Sequence, residues 1–189
     1  MEQVLVEELD GYRKQFEKIK KDAEILLAGL SDGQFNWQPE PGRWSMAQCI
    51  LHLNMTARIY IPMMDAVMER ARAQGLFGHG PFRHGWLGNW LVRLVEPPPK
   101  RKFKAPGNFV PPPESPMANA LTEFLRRQDE FIERAGRANG LDLGRARIRL
   151  PASSLIKLSL GQSFALMTAH ERRHLWQAAQ VREATGFPA

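Results

Sequence analysis

The chain has 189 residues, 43% hydrophobic and 24% charged, the size and balance of one globular domain, with no apolar run long enough to span a bilayer. Its only cysteine, Cys49, excludes an intramolecular disulfide and a thiolate metal cluster, and is expected to be core filler. The +6 formal charge is scattered over Lys18, Lys20 and Lys21, then Lys100, Arg101, Lys102 and Lys104, then Arg126 and Arg127, and finally Arg145, Arg147 and Arg149. No nucleic-acid motif accompanies these residues, so solvated surfaces are expected and no nucleic-acid partner, although a basic rim could draw in an anionic substrate.

The acidic start, Met1 to Asp10, lacks the basic-then-apolar order of a secretory signal, and a cytoplasmic protein is expected. A first helix is predicted from about Gln3 to Leu30, because Leu5, Leu9, Tyr12, Phe16, Ile19, Ala23, Leu26 and Leu30 recur at three and four. Ser31-Asp32-Gly33 interrupts it, and Pro39 and Pro41-Gly42 mark a loop. Ser45 with Gln48 fits a capping box, and Trp44 and Cys49 stand at the flanking staple positions. The second helix that starts there runs to about Gln74, with a kink or break expected at Pro62.

Residues 75 to 114 are rich in Gly and Pro. Trp86, Leu87, Trp90, Leu91 and Leu94 have helical spacing within them, and Phe77, Phe82, Phe103 and Phe109 suggest a crossover or lid whose aromatics are buried. A third long helix is predicted from about Pro116 to Asn139, stopped by Gly140. Residues 141 to 158 read as a connection, with no convincing strand pair. Ser159 with Gln162 offers another capping box for a last helix reaching about Thr185. Four such helices form an all-α four-helix bundle, a single domain over residues 1–189, whose connectivity the pattern leaves open.

His52 lies in line with Cys49, Met55, Thr56, Ile59 and Met63, an apolar stripe of the second helix. His170 and His174 are four apart on the last helix, so their imidazoles project from one face about 6 Å apart. They share that face with Leu166, Met167, Gln177, Ala178 and Val181, and Gln177 is a candidate to support the ligands by hydrogen bonding. A lone His52 reads as an ordinary core histidine, and the other pair could sit at a bundle edge. Three inward-facing histidines on facing helices point instead to one divalent metal ion. His79 and His84 lie in a Gly-flanked loop outside this set.

His170-Glu171-Arg172-Arg173-His174 also matches H-E-x-x-H, the metalloprotease pattern. Only fifteen residues follow His174, with Glu183 their sole acidic residue and no histidine, so the peptidase reading is weak. Glu171 is a candidate base or a partner of the ligands, or else a surface charge.

The sequence resembles the DinB-like (YfiT-like) superfamily of metal-dependent enzymes. The likeness begins at Leu26-Leu27 and Leu30. It becomes specific at Trp37-Gln38-Pro39, at Pro41-Gly42-Arg43-Trp44-Ser45 leading into Ile50-Leu51-His52-Leu53, and at His170 through His174. It implies a four-helix bundle over nearly the whole chain, with His52, His170 and His174 as ligands to nickel or zinc and water at the open positions. It also makes the Pro- and aromatic-rich stretch 75–114 an insertion between the second and third helices of the bundle.

A metal held by three neutral imidazoles keeps open positions and can lower the pKa of water or a thiol bound there. The resemblance implies transfer or isomerisation chemistry with low-molecular-weight thiols, so a metal-dependent thiol transferase or detoxification enzyme acting on a small molecule is expected first. A hydrolase using metal-activated water, with Glu171 as base, is the alternative. A non-catalytic metal-binding or interaction protein, dimeric through a bundle face, is the third expectation. Cys49, one turn before His52, is a competing ligand to be tested.

Overall fold

The computed structural model describes residues 5–99, 107–151 and 153–189. Gln3, Lys100, Arg101, Lys102, Phe103 and Lys104, which entered the sequence reading, lie outside them. Four long helices carry the fold: α1 (Glu7–Leu27), α3 (Met46–Ala73), α5 (Met117–Arg137) and α6 (Leu160–Arg182). Two shorter ones, α2 (Asp32–Asn36) and α4 (Trp86–Val95), lie in the connections, with a 3-10 turn at Gly107–Phe109.

The bundle connectivity follows from which stripes meet. α1 packs against α5 and α6, and α3 packs against the same two. The consecutive long helices α1 and α3 are therefore diagonal to each other, as are α5 and α6. Aromatic residues fill one half of the core, where Phe16 stacks on Phe131 at 4.9 Å and Tyr12 on Phe164 at 5.6 Å. Ile19, Leu27, Ile50, Leu53, Phe124 and Leu175 belong to a second apolar cluster. No helix among the described residues is long and apolar enough to cross a membrane.

Some of the surface charges read as solvated faces are paired along and between helices. Arg126 and Arg127 reach Glu123 and Glu130 on their own helix, Lys18 reaches Asp22, and Lys20 bonds Asp129 across to α5 at 2.7 Å. Such exposed pairs contribute little each, about 0–1 kcal/mol, so the apolar interior holds the bundle.

Both predicted capping boxes form. Ser45 Oγ accepts from Gln48 N at 3.1 Å, Ser159 Oγ accepts from Gln162 N at 3.1 Å, and each glutamine accepts in return from its serine's N–H. A third box, Ser31 with Gln34, opens α2, so the stretch read as an interruption is a helical turn. α3 is not broken at Pro62. The residue is exposed, as is Arg58 one turn before it, so water can satisfy the carbonyl that the proline leaves without a partner.

Two expectations about the connections are overturned. Arg147–Leu150 (β1) and Ser153–Ser159 (β2) form an antiparallel hairpin where no strand pair was expected. Ile148 pairs with Leu158, and both turn inward against the core. The alternation is only one or two residues deep on each strand and lacks a Gly or Asn turn, which hides it in the sequence. The tryptophans of the 75–114 segment are not buried: Trp86 is 78% and Trp90 52% exposed. α4 meets α6 through its opposite side, where Gly88 lies so close to the Gln162 side chain that a Cβ would collide with it.

Candidate metal centre

The histidines meet where α3 faces α6, between the two apolar clusters. Upstream of His52 on α3 are Cys49 and Ile50, and downstream are Ala57 and Tyr60; on α6, Met167 precedes His170 and Leu175 and Ala178 lie around and beyond His174. The Ser45 cap fixes where α3 starts, and the Ser159 cap does the same for α6. The registers of the two helices are thus set from their ends. His52 and His174 are 5% and 8% exposed, and His170 is half-buried.

One ring nitrogen from each of His52, His170 and His174 lies within 4.8 Å of the others. His52 Nε2 is 3.1 Å from His170 Nε2. The Nδ1 atoms of His170 and His174 are buried without a hydrogen-bond partner among the described residues. His52 Nδ1 faces the Phe109 carbonyl at 2.8 Å, so in the neutral ring Nδ1–H donates to that oxygen and Nε2 keeps a free lone pair directed at the other imidazoles.

The electrostatics favour lone pairs over protons. Burial lowers the pKa of all three rings. His170 is pushed down to about 3, with His52 and Arg173 adding repulsion, and His174 falls well below its ordinary value despite a small opposing effect of the Gln177 side chain. Neutral His170 can donate Nε2–H to His52 Nε2 at 3.1 Å, and with its proton on Nδ1 instead the rings turn their lone pairs towards one another. They fit a divalent cation, which accepts from all three.

Aromatic groups wall the cluster. Trp44 lies 5.0 Å from His52 and 5.6 Å from His174, centroid to centroid, and the Phe109 ring is 6.3 Å from His52. Trp44, read from the sequence as half of a staple with Cys49, thus serves the histidines. Cys49 is fully buried in the apolar core and is not a member of the ligand cluster; burial pushes its thiol pKa up.

Glu171 is buried and lies outside the cluster of three. Its Oε1 accepts from Gln128 Nε2 of α5 at 3.0 Å, and its Oε2 is without a partner among the described residues. Burial raises its pKa to about 8. The Gln177 side chain raises the pKa of His174 slightly against the effect of burial. His79 is exposed, whereas His84 joins Ser159 Oγ at 2.7 Å to Glu8 and so ties the start of α6 to α1.

The sequence reading missed the Phe109 carbonyl. No side-chain pattern marks a backbone oxygen, and its approach to His52 spans 57 positions.

The fold and this site define a four-helix bundle built around a three-histidine centre. The chain belongs to the DinB superfamily, whose family model matches residues 15–178. Among solved structures, YfiT from Bacillus subtilis has the same fold, with a TM-score of 0.63 and 11% identity over 100% of this chain and 93% of that one. YfiT is described as a probable metal-dependent hydrolase with an unusual four-helix bundle topology. No curated protein matches the sequence.

Proposed function

We propose that the protein is a metal-dependent enzyme, in which His52, His170 and His174 hold one divalent cation and water attacks a small-molecule substrate. The observation that carries this reading is the convergence of three neutral imidazoles, two buried and one half-buried, with two unpartnered Nδ1 atoms among the described residues. Imidazole donors suit zinc or nickel. When bound, the cation supplies Lewis-acid activation, lowering the pKa of water or of a thiol.

The chain's own residues supply the setting. The Phe109 carbonyl holds the His52 tautomer that presents Nε2, and Trp44 limits the approach of bulk water to His52 and His174. Glu171, bonded to Gln128 in the core, is not required as a base in this reading. The likeness to YfiT supports hydrolysis ahead of thiol transfer, and the two use the same ligands with different nucleophiles.

The test is metal analysis of the purified protein, followed by screening small esters and amides with and without added thiol. Cleavage in water alone is expected to disappear in His170→Ala and on chelation, and to return with zinc or nickel. Turnover that needs a thiol would replace the hydrolase with a thiol transferase. Full metal content in a His52/His170/His174 triple variant would defeat the proposal.

A further inference from the structure

α4 is apolar on both of its sides. Leu91, Val92 and Val95 pack against the core, and Gly88 seats the helix on Gln162 of α6. The other side faces outward: Trp86 is 78%, Leu87 38% and Trp90 52% exposed. The hairpin extends this surface. β1 pairs Arg147 with Ser159 of β2, and side chains alternate along a strand, so Leu155 and Lys157 share a face with Ser159. Ser159 Oγ bonds His84, two residues before Trp86, which sets that face beside the start of α4. Leu155, four residues further out, is 93% exposed.

The charges around these side chains have one sign. Arg83, Arg93, Arg147 and Lys157 are exposed, and none of them is in an ion pair among the described residues. Neither residues 77–95 nor residues 143–170 contain an Asp or Glu. Glu96, just beyond α4, has its carboxylate on Arg172. Outward tryptophans and leucines ringed by cations match the boundary of an anionic bilayer. Indoles settle there at headgroup level, while arginine and lysine reach the phosphates. A second copy of this chain fits worse, because a two-fold contact would lay the patch on itself and oppose its own cations.

We infer that α4 and the outer face of the hairpin dock the protein on an anionic lipid surface, with Trp86 and Trp90 entering the headgroup layer. The contact is peripheral and does not depend on the metal. It is tested by cosedimenting the whole protein with vesicles of phosphatidylcholine alone, and with vesicles carrying about 30% phosphatidylglycerol. Binding is expected on the anionic vesicles, with a blue shift of tryptophan emission. It should weaken with salt and be about tenfold or more weaker on neutral vesicles.

Replacing both indoles, Trp86→Ser with Trp90→Ser, should weaken binding about tenfold or more, since their apolar area drives insertion. Arg93→Gln and Lys157→Gln should each cost about fivefold on anionic vesicles, the scale of one cation at such a surface. These side chains are exposed, so helicity should not change. Ile25→Ser removes an apolar residue that is 62% exposed on α1, and should bind as the parent does. Equal binding to both vesicles, or a loss in Ile25→Ser as large as in the double tryptophan variant, would overturn the inference. No binding to either vesicle would also overturn it, and a dimer that dissociates in the double tryptophan variant would then assign this face to a second copy.

Discussion

His52 and His170 stand 118 positions apart in the chain, yet their Nε2 atoms are 3.1 Å apart across the α3–α6 interface. With His174 one turn further along α6, they place three lone-pair donors around one point. Purified protein should therefore carry close to one divalent ion per chain by elemental analysis. Replacing any of the three with Ala should weaken binding more than about a hundredfold, exceeding the effect of losing a supporting partner. His79→Ala and Cys49→Ala should leave stoichiometry unchanged, since one is exposed and the other lies outside the cluster.

Acid should act on the same rings. Their folded pKa values lie below the ordinary 6.5, so the unfolded chain binds more protons as pH falls from about 6.5. Their contribution to stability is complete above that value and declines towards the folded values, about 3 for His170. The metal-free protein should lose urea resistance over this window, and loaded protein should release its metal. A triple His→Gln variant should show a flatter profile. An equally steep profile in that variant would assign the acid sensitivity elsewhere.

Glu171 should act in the opposite direction. Its folded pKa, raised from 4.5 to about 8, means that the folded chain holds the extra proton. Its stabilising effect is complete below about 4.5 and is lost as pH rises through 8. Glu171→Gln keeps the shape and an oxygen that can accept from Gln128, without a charge to bury. Unfolding midpoints should fall less between pH 6 and 9 in the variant, and its metal content should match the parent. Abolished turnover with intact metal would instead make Glu171 a catalytic base.

The Phe16–Phe131 stack gives the core prediction. Phe131 is fully buried between α1, α5 and their neighbours, so Phe131→Ala should cost about 3–5 kcal/mol in chemical denaturation. Because His52, His170 and His174 lie on α3 and α6, the folded variant should still bind its metal. Loss of metal with native helicity would show that α5 packing sets the site's geometry.

The sequence by itself determined the four long helices, two of their caps and the face carrying each histidine. Local periodicity and the reciprocal Ser–Gln bonds of a first turn need no distant partner, which is why Ser45 with Gln48 and Ser159 with Gln162 were legible. The hairpin was not, because its short alternation becomes a strand pair only when Ile148 and Leu158 find a core to cover. Tertiary structure also decided that α1 and α3 lie diagonally, a consequence of which apolar stripes meet across the bundle. It turned Glu171 towards Gln128 and brought the Phe109 carbonyl to His52. Contacts of this kind depend on helix rotation and on a backbone path through the 75–114 segment, and no residue spacing encodes either.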